Sequence, residues 1–387
     1  MKTLIRNTTG LVCLLAFAQS ATAQSADDFA RLQERVNQLE TQQSEKLDFG
    51  LKNTTVDIYG FVRAEAFYDF DFAQGDLSRA ERVGDDDFAT DGEFDTSVRV
   101  SRFGLRSSTE TDIGAIGTQL EFDLFGSGGE DSGSPNIRLR HANLTIGDSL
   151  LIGQFWTNFM PLVHYPSTAD FNGPVGITFA RVAQVRYTYN AGNGLQFSGS
   201  IEEPNGGGSD PVVTAAAFYD GGNYSLRAAA LGGEFGDDAD DDLTTYGYTL
   251  SGSVSPWQSG TFTATFTSGQ GLGNLLIGGG SRSLAGEENE SDSFTIAYNQ
   301  ELTEQLELAL AYGYENYDLG TAIGTLEEDE VDTRDRFDEL QSVHATLFYR
   351  PVERLTLAAE YIYIDSSGPD GFDADADRIG LSATYSF

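Results

Sequence analysis

Cysteine is almost missing from this chain of 387 residues: there is one, Cys13. It lies in an N-terminal run with the marks of an export leader. Lys2 and Arg6 come first, residues 11–17 form an apolar centre, and the small residues Ala21, Thr22 and Ala23 precede Gln24. Removal of this signal peptide, residues 1–23, leaves a mature chain with no cysteine, which excludes disulfides, zinc–thiolate sites and cysteine nucleophiles. Lysine is nearly as scarce, since 20 of the 23 basic residues are arginine. Those 23 face 60 acidic residues, for a formal net charge of −37, so no broad face can neutralise nucleic-acid phosphates. Beyond the leader no apolar run reaches the roughly 18 residues of a membrane-spanning helix. A membrane barrel remains open, because alternating strands hide their hydrophobicity from a running average.

What is present is glycine, 44 residues, and aromatics at 12%, a composition suited to strands and turns. One stretch, 26–46, has helical spacing. Phe29, Leu32, Val36 and Leu39 form its apolar stripe, with Arg31, Glu34, Arg35 and Glu40 on the flanks. This predicts a short coiled-coil stalk over 24–48, too short to stand without partner helices.

From residue 54 the period becomes 2. In the first strand Val56, Ile58, Val62, Ala64, Ala66 and Tyr68 point one way, and Asp57, Tyr59, Arg63, Glu65 and Asp69 the other. Charges through the middle of the second face suit lipid outside and water inside. The same alternation recurs in Leu120, Phe122 and Leu124 against Gln119, Glu121 and Asp123, and in the rows Leu306–Tyr314 and Leu355–Tyr363. Runs separated by turn residues number about 16, giving an all-β transmembrane antiparallel barrel over 49–387 with alternating short and long connections. The long ones, 71–93, 127–135, 233–242, 270–290, 317–336 and 366–375, are acidic and glycine-rich and are expected outside the cell. The last strand ends in Tyr385, Ser386 and Phe387, an aromatic terminus of the kind that barrel-assembly machinery reads.

Ten of the 20 arginines fall between residues 63 and 186. By parity Arg63, Arg102, Arg106, Arg138, Arg140 and Arg186 face the lumen, where a row of guanidiniums would lower the entry barrier for carboxylates or phosphates. Glu65, Glu121 and Asp123 form an acidic lumenal wall that could also pair with them. Residues 157–180 are an exception among the long connections: Asp170 is their only charge, and Pro161, Pro166 and Pro174 stiffen them. Such a segment is expected to fold inward as a constriction loop. His141, His164 and His344 lie on separate segments, no Gly-x-Ser-x-Gly elbow occurs, and no metal-ligand spacing appears. The reading is therefore of a non-enzyme with no cofactor.

Several runs resemble the DcaP-type trimeric outer-membrane porins. They are Arg102-Phe103-Gly104-Leu105-Arg106, Ile137-Arg138-Leu139-Arg140-His141-Ala142-Asn143-Leu144, Gly153-Gln154-Phe155-Trp156-Thr157-Asn158-Phe159-Met160, Phe171-Asn172-Gly173-Pro174-Val175-Gly176 and Gln184-Val185-Arg186-Tyr187. The similarity is strongest over about 55–190 and at the C-terminus, and the coiled-coil segment matches in position. The resemblance implies a 16-stranded homotrimer in the outer membrane of a Gram-negative bacterium, in contact with lipid bilayer and lipopolysaccharide. It also implies one pore per subunit passing small negatively charged molecules such as dicarboxylates, with Arg102, Arg106, Arg138, Arg140 and Arg186 as the basic constriction. Two other readings stand beside it: a weakly cation-selective general porin governed by its acidic mouths, and a structural barrel linking outer membrane to cell wall.

Overall fold

The computed structural model describes residues 53–126, 135–205, 207–208, 210–236, 242–278, 283–284, 287–318, 337–368 and 371–387. The leader and the coiled-coil stalk read at 24–48 lie outside the described residues, as do the acidic runs at 237–241 and 327–330.

The first strand, β1 (Thr54–Asp69), is followed by β2 (Glu93–Ser97) and β3 (Arg102–Thr111), and both of these pair antiparallel with β1 as one strand broken at 98–101. Hairpin neighbours then follow in chain order: β4 (Gly114–Gly126), β5 (Asn136–Ile146), β6 (Leu150–Trp156), β7 (Arg181–Gly192), β8 (Leu195–Glu202) and β9 (Val212–Asp220). Next come β10 (Tyr224–Gly236), β11 (Asp242–Trp257) and β12 (Gly260–Gln270). A two-residue hairpin, β13 (Ser283–Leu284) with β14 (Glu287–Glu288), lies outside the main sheet. The wall resumes with β15 (Glu290–Glu301), β16 (Leu306–Asp318), β17 (Glu339–Val352), β18 (Leu355–Ser367) and β19 (Asp373–Ser386). Pairing of β19 with β1, from Phe61↔Ser386 to Asp69↔Arg378, closes the sheet. Counting β2 and β3 as one, the closed antiparallel barrel has 16 strands. Closure leaves no unpaired strand edge, the condition for a sheet to sit in lipid.

The barrel is inside-out. Val62, Tyr187, Ile201, Leu226 and Leu381 are exposed on its outer face, while Glu65, Asp69, Glu121, Asp123, Glu360 and Arg378 are buried within. The alternation is thus where the sequence places it. Short turns such as 112–113, 193–194 and 353–354 gather at one rim and the long connections at the other, which makes the short-turn rim periplasmic. Two differences from the sequence reading concern the long connections. Asp373, Asp375 and Asp377 belong to β19, not to a loop: they pair with Ser367, Asp365 and Tyr363, continuing the outward row of Ile379. And the segment at 71–93, expected to be solvated, folds inward. Ala80 and Val83 pack with Tyr317, Phe337, Leu340, Ile362 and Ile364 of β16, β18 and the chain at and just before β17, the stretch of wall next to β19.

Candidate functional site

Strand β6 ends at Trp156 and β7 begins at Arg181. The apolar 157–180 segment between them cannot lie in water without exposing its hydrophobic residues, and it turns into the lumen. Its root is fixed by Glu202 on β8, whose carboxylate accepts from the Thr157 hydroxyl (2.5 Å) and the Asn158 amide (2.8 Å). Phe159 is fully buried with Leu272, Leu275, Leu276, Ala229 and Leu231. Further along, the segment reaches strands that are not sheet neighbours of its own. The Ala169 and Asp170 amides donate to Glu360 on β18, the Val175 amide to Ser342 Oγ on β17 (3.0 Å), and Ser293 Oγ on β15 donates to the Gly176 carbonyl (2.8 Å). It therefore crosses from one wall to the other.

Its one charge is used inside the lumen: the Asp170 carboxylate accepts from the Ser78 amide (2.9 Å), the Ser78 hydroxyl (2.6 Å) and the amides of Asn172 and Gly173. A third inward segment completes the constriction. The Gly176 amide donates to Ile277 O (2.6 Å), the Ile277 amide to Ile177 O (2.9 Å) and the Phe179 amide to Leu275 O (2.7 Å), a strand-like ladder between two connections. The sequence reading missed this partner. The uncharged apolar run Leu272-Gly273-Asn274-Leu275-Leu276-Ile277 carries the same signal that singled out 157–180.

The arginines do not form one row. Arg63 pairs with Glu65 (2.6 Å) and donates to the Ala169 carbonyl, holding the loop. Arg138 grips Asp123 through Nε (2.9 Å) and Nη2 (2.6 Å), while Arg140 bridges Glu121 (2.7 Å) and Asp123 (2.9 Å). Arg102 Nε lies 3.5 Å from Glu121, and Arg106 stacks on Tyr59 at 4.1 Å, whose hydroxyl donates to Glu121 (2.9 Å). Arg138 keeps 34% of its side chain exposed and Arg102 24%, against 1% for Arg140, so Arg140 organises the cluster and the other two face the lumen.

Strict alternation also fails at one point, because a bulge opposite Glu121 and Phe122 turns Arg140 and His141 inward in succession. Such bulges re-aim side chains at functional places. Arg181, absent from the sequence reading, stacks on Trp156 at 5.0 Å, and its buried Nη1 has no hydrogen-bond partner. Arg186 is apart from this group, bonded to Gln184 (2.8 Å) and the Trp156 carbonyl, with Arg227 of β10 on the Asn158 and Phe159 carbonyls. Four guanidiniums thus meet two carboxylates, Glu121 and Asp123, on the wall of β3, β4, β5 and β7, while the crossing segment lines the other side.

Residues 24–207 match the family of DcaP outer membrane proteins. The match spans β1 to β8 and so includes the whole arginine cluster and the crossing segment. In structure the chain is similar to the outer membrane channel DcaP of Acinetobacter baumannii, at 28% identity and a TM-score of 0.77, covering 87% of this chain and 98% of that one. It also shares its fold with OmpT, an outer membrane protein of Vibrio cholerae (17% identity, TM-score 0.61, 89% and 100% covered). A third likeness is to an anion-selective porin from Comamonas acidovorans (13% identity, TM-score 0.58, 86% and 100% covered). No curated protein matches the sequence. The DcaP resemblance read from the residues is borne out, and the protein is a porin-type barrel of the Gram-negative outer membrane.

Proposed function

We propose that the chain forms a homotrimeric diffusion channel that favours small organic anions such as dicarboxylates at the constriction between 157–180 and the arginine wall. The observation that carries this is the charge excess of Arg102, Arg138, Arg140 and Arg181 over Glu121 and Asp123, with the buried Nη1 of Arg181 left without a hydrogen-bond partner among the described residues. A cation held against other cations in a water-poor site attracts an anion more strongly than one already paired. A short coiled coil at 24–48 would help join three subunits, the Phe387 strand would be read by the assembly machinery, and acidic loops would meet lipopolysaccharide through divalent cations.

Single-channel recording of the full-length protein under a KCl gradient tests the reading. Three conductance steps with an anion-favouring reversal potential are expected, moving toward cations when Arg102, Arg138 and Arg181 are replaced by Ala. An unchanged reversal potential in that variant removes the arginine constriction. Cation preference in the unaltered channel would instead hand selectivity to the acidic mouths, a reading favoured by the exposed Asp86 and Asp87 and by the outward acids of β19.

A further inference from the structure

A recess of about 210 Å³ opens between the loop root and the wall, lined by Arg186, Arg227, Phe155, Phe218, Leu162 and Val163 among others. Its place is lower than the arginine cluster. Arg186 lies five residues down β7, Phe218 near the periplasmic end of β9, and Arg227 near that end of β10.

The two arginines have no ion pair among the described residues. They touch the loop root through carbonyls: Arg186 Nη2 donates to Trp156 O, and Arg227 donates through Nη2 to Asn158 O and through Nη1 to Phe159 O (3.3 Å). Arg186 Nε is taken by Gln184 (2.8 Å). That leaves Arg186 Nη1 and Arg227 Nε with no protein acceptor among the described residues. Glu202, on β8 beside the β7 strand of Arg186, has its hydrogen bonds committed to Thr157, Asn158 and Ser200 (2.6 Å). The rest of the wall is mixed: Thr157, Asn158, Thr188, Gln196 and Ser198 are polar, and the apolar side is formed by Phe155, Leu162, Val163 and Phe218 among others. Val163 is 60% and Leu162 44% exposed, although both are large hydrophobics facing an aqueous lumen.

We infer that this recess is a second solute site, distinct from the arginine cluster, for a small carboxylate with a compact apolar body, of about the size of benzoate. The inference rests on the channel reading. Charge complementarity selects the anion, because two guanidiniums share the field of a single carboxylate, Glu202, with which neither forms a direct ion pair among the described residues, and they keep unspent donors at one end. Exposed Val163 and Leu162 with Phe218 gain from covering an apolar body, at about 25 cal/mol per Å² removed from water. Volume sets the size: a cavity of roughly 150 Å³ admits benzene, so this one has room for a ring and a carboxylate. Short hydrophilic anions would use only its charged end.

The test compares block by benzoate and by acetate in single-channel recordings of the full-length protein. Benzoate is expected to interrupt the current at a concentration at least about tenfold lower than acetate, because both offer one carboxylate to the guanidiniums and only benzoate adds apolar burial. Arg227→Gln should raise the half-blocking benzoate concentration roughly tenfold. Because that change also frees two loop carbonyls, Val163→Glu provides an independent reading: it leaves every hydrogen bond of the root in place, sets a negative charge in the recess, and should raise the same concentration by a similar factor. Equal block by both anions, or benzoate block unaltered in both variants, overturns the site while leaving the channel reading intact. Absence of conductance would overturn the channel reading beneath it.

Discussion

Glu360 shows how much one residue carries in this lumen. Its carboxylate, on a strand of the far wall, accepts from the Ala169 and Asp170 amides, from Thr346 Oγ1 (2.7 Å) and from His344 Nδ1 (3.4 Å). Glu360→Ala leaves two buried amides without acceptors, at about 1–3 kcal/mol each. The loop tip should detach and the single-channel current should become noisier, whereas Glu360→Gln, which keeps one accepting oxygen, should show a smaller change. His164 gives a second prediction. Inside the crossing segment it is bonded to Ser251 Oγ (2.7 Å) and Ser225 Oγ (2.8 Å), one nitrogen donating and the other accepting, and burial beside Arg227 pushes its pKa down from 6.5 to about 4. Between those values the released loop binds more protons than the docked one, so docking is fully stable above about 6.5 and weakens as pH falls toward 4. Current noise should therefore rise over that window in the unaltered channel. His164→Gln, which retains a donor and an acceptor, should flatten the dependence; a noise level that rises equally in the variant would detach the effect from His164.

At the scale of elements, the strands allow the loop to cross only where they give it room. Gly313 faces inward on β16, and a Cβ there would lie 2.2 Å from the Val175 carbonyl and 2.9 Å from Pro174 Cβ. Gly176 opposite has φ +78°, and its own Cβ would come within 2.6 Å of the Tyr314 carbonyl. The backbones of loop and wall meet with nothing between them. Gly313→Val should push the loop off the wall and change the unitary conductance, while the barrel, whose β16 register does not depend on that side chain, still folds and resists unfolding in detergent. Gly313→Ser, smaller, should give an intermediate conductance. Normal conductance in the Val variant would mean that the loop does not form the narrowing.

For the molecule as a whole, charge is arranged in layers. Acids crowd the outer rim, on β19 and at Asp85, Asp86 and Asp87, whereas arginines gather at mid-barrel beside the crossing segment. Rim charges are wet and screened over about 10 Å at 0.1 M salt, and those at a narrow constriction are screened less. Anion preference should therefore be weaker at 0.05 M KCl, when the acidic rim still collects cations, and stronger near 1 M, when only the constriction acts. Reversal potentials at the two concentrations check this, and a preference that moves the other way would place the governing charges at the mouth. Deleting residues 24–48 should leave single-pore conductance intact and lower the temperature at which subunits separate.

The alternation of Val62, Ala64 and Ala66 against Arg63 and Glu65 determined the barrel by itself, because lipid outside and water inside impose a two-residue period on every strand. The scarcity of charge in 157–180 likewise determined that this segment leaves the solvent. Tertiary structure decided the rest. The bulge at Arg140 and His141 depends on the partner strand's register, which no single strand encodes. Arg181 became a cluster member only because Trp156, 25 residues earlier, stands beneath it. Arg186 left the expected row for Arg227, a residue of β10, because the loop root presents carbonyls to both. Local sequence fixes which face a side chain takes, since that depends on the pleat; which charges meet across a lumen depends on how distant segments fill it.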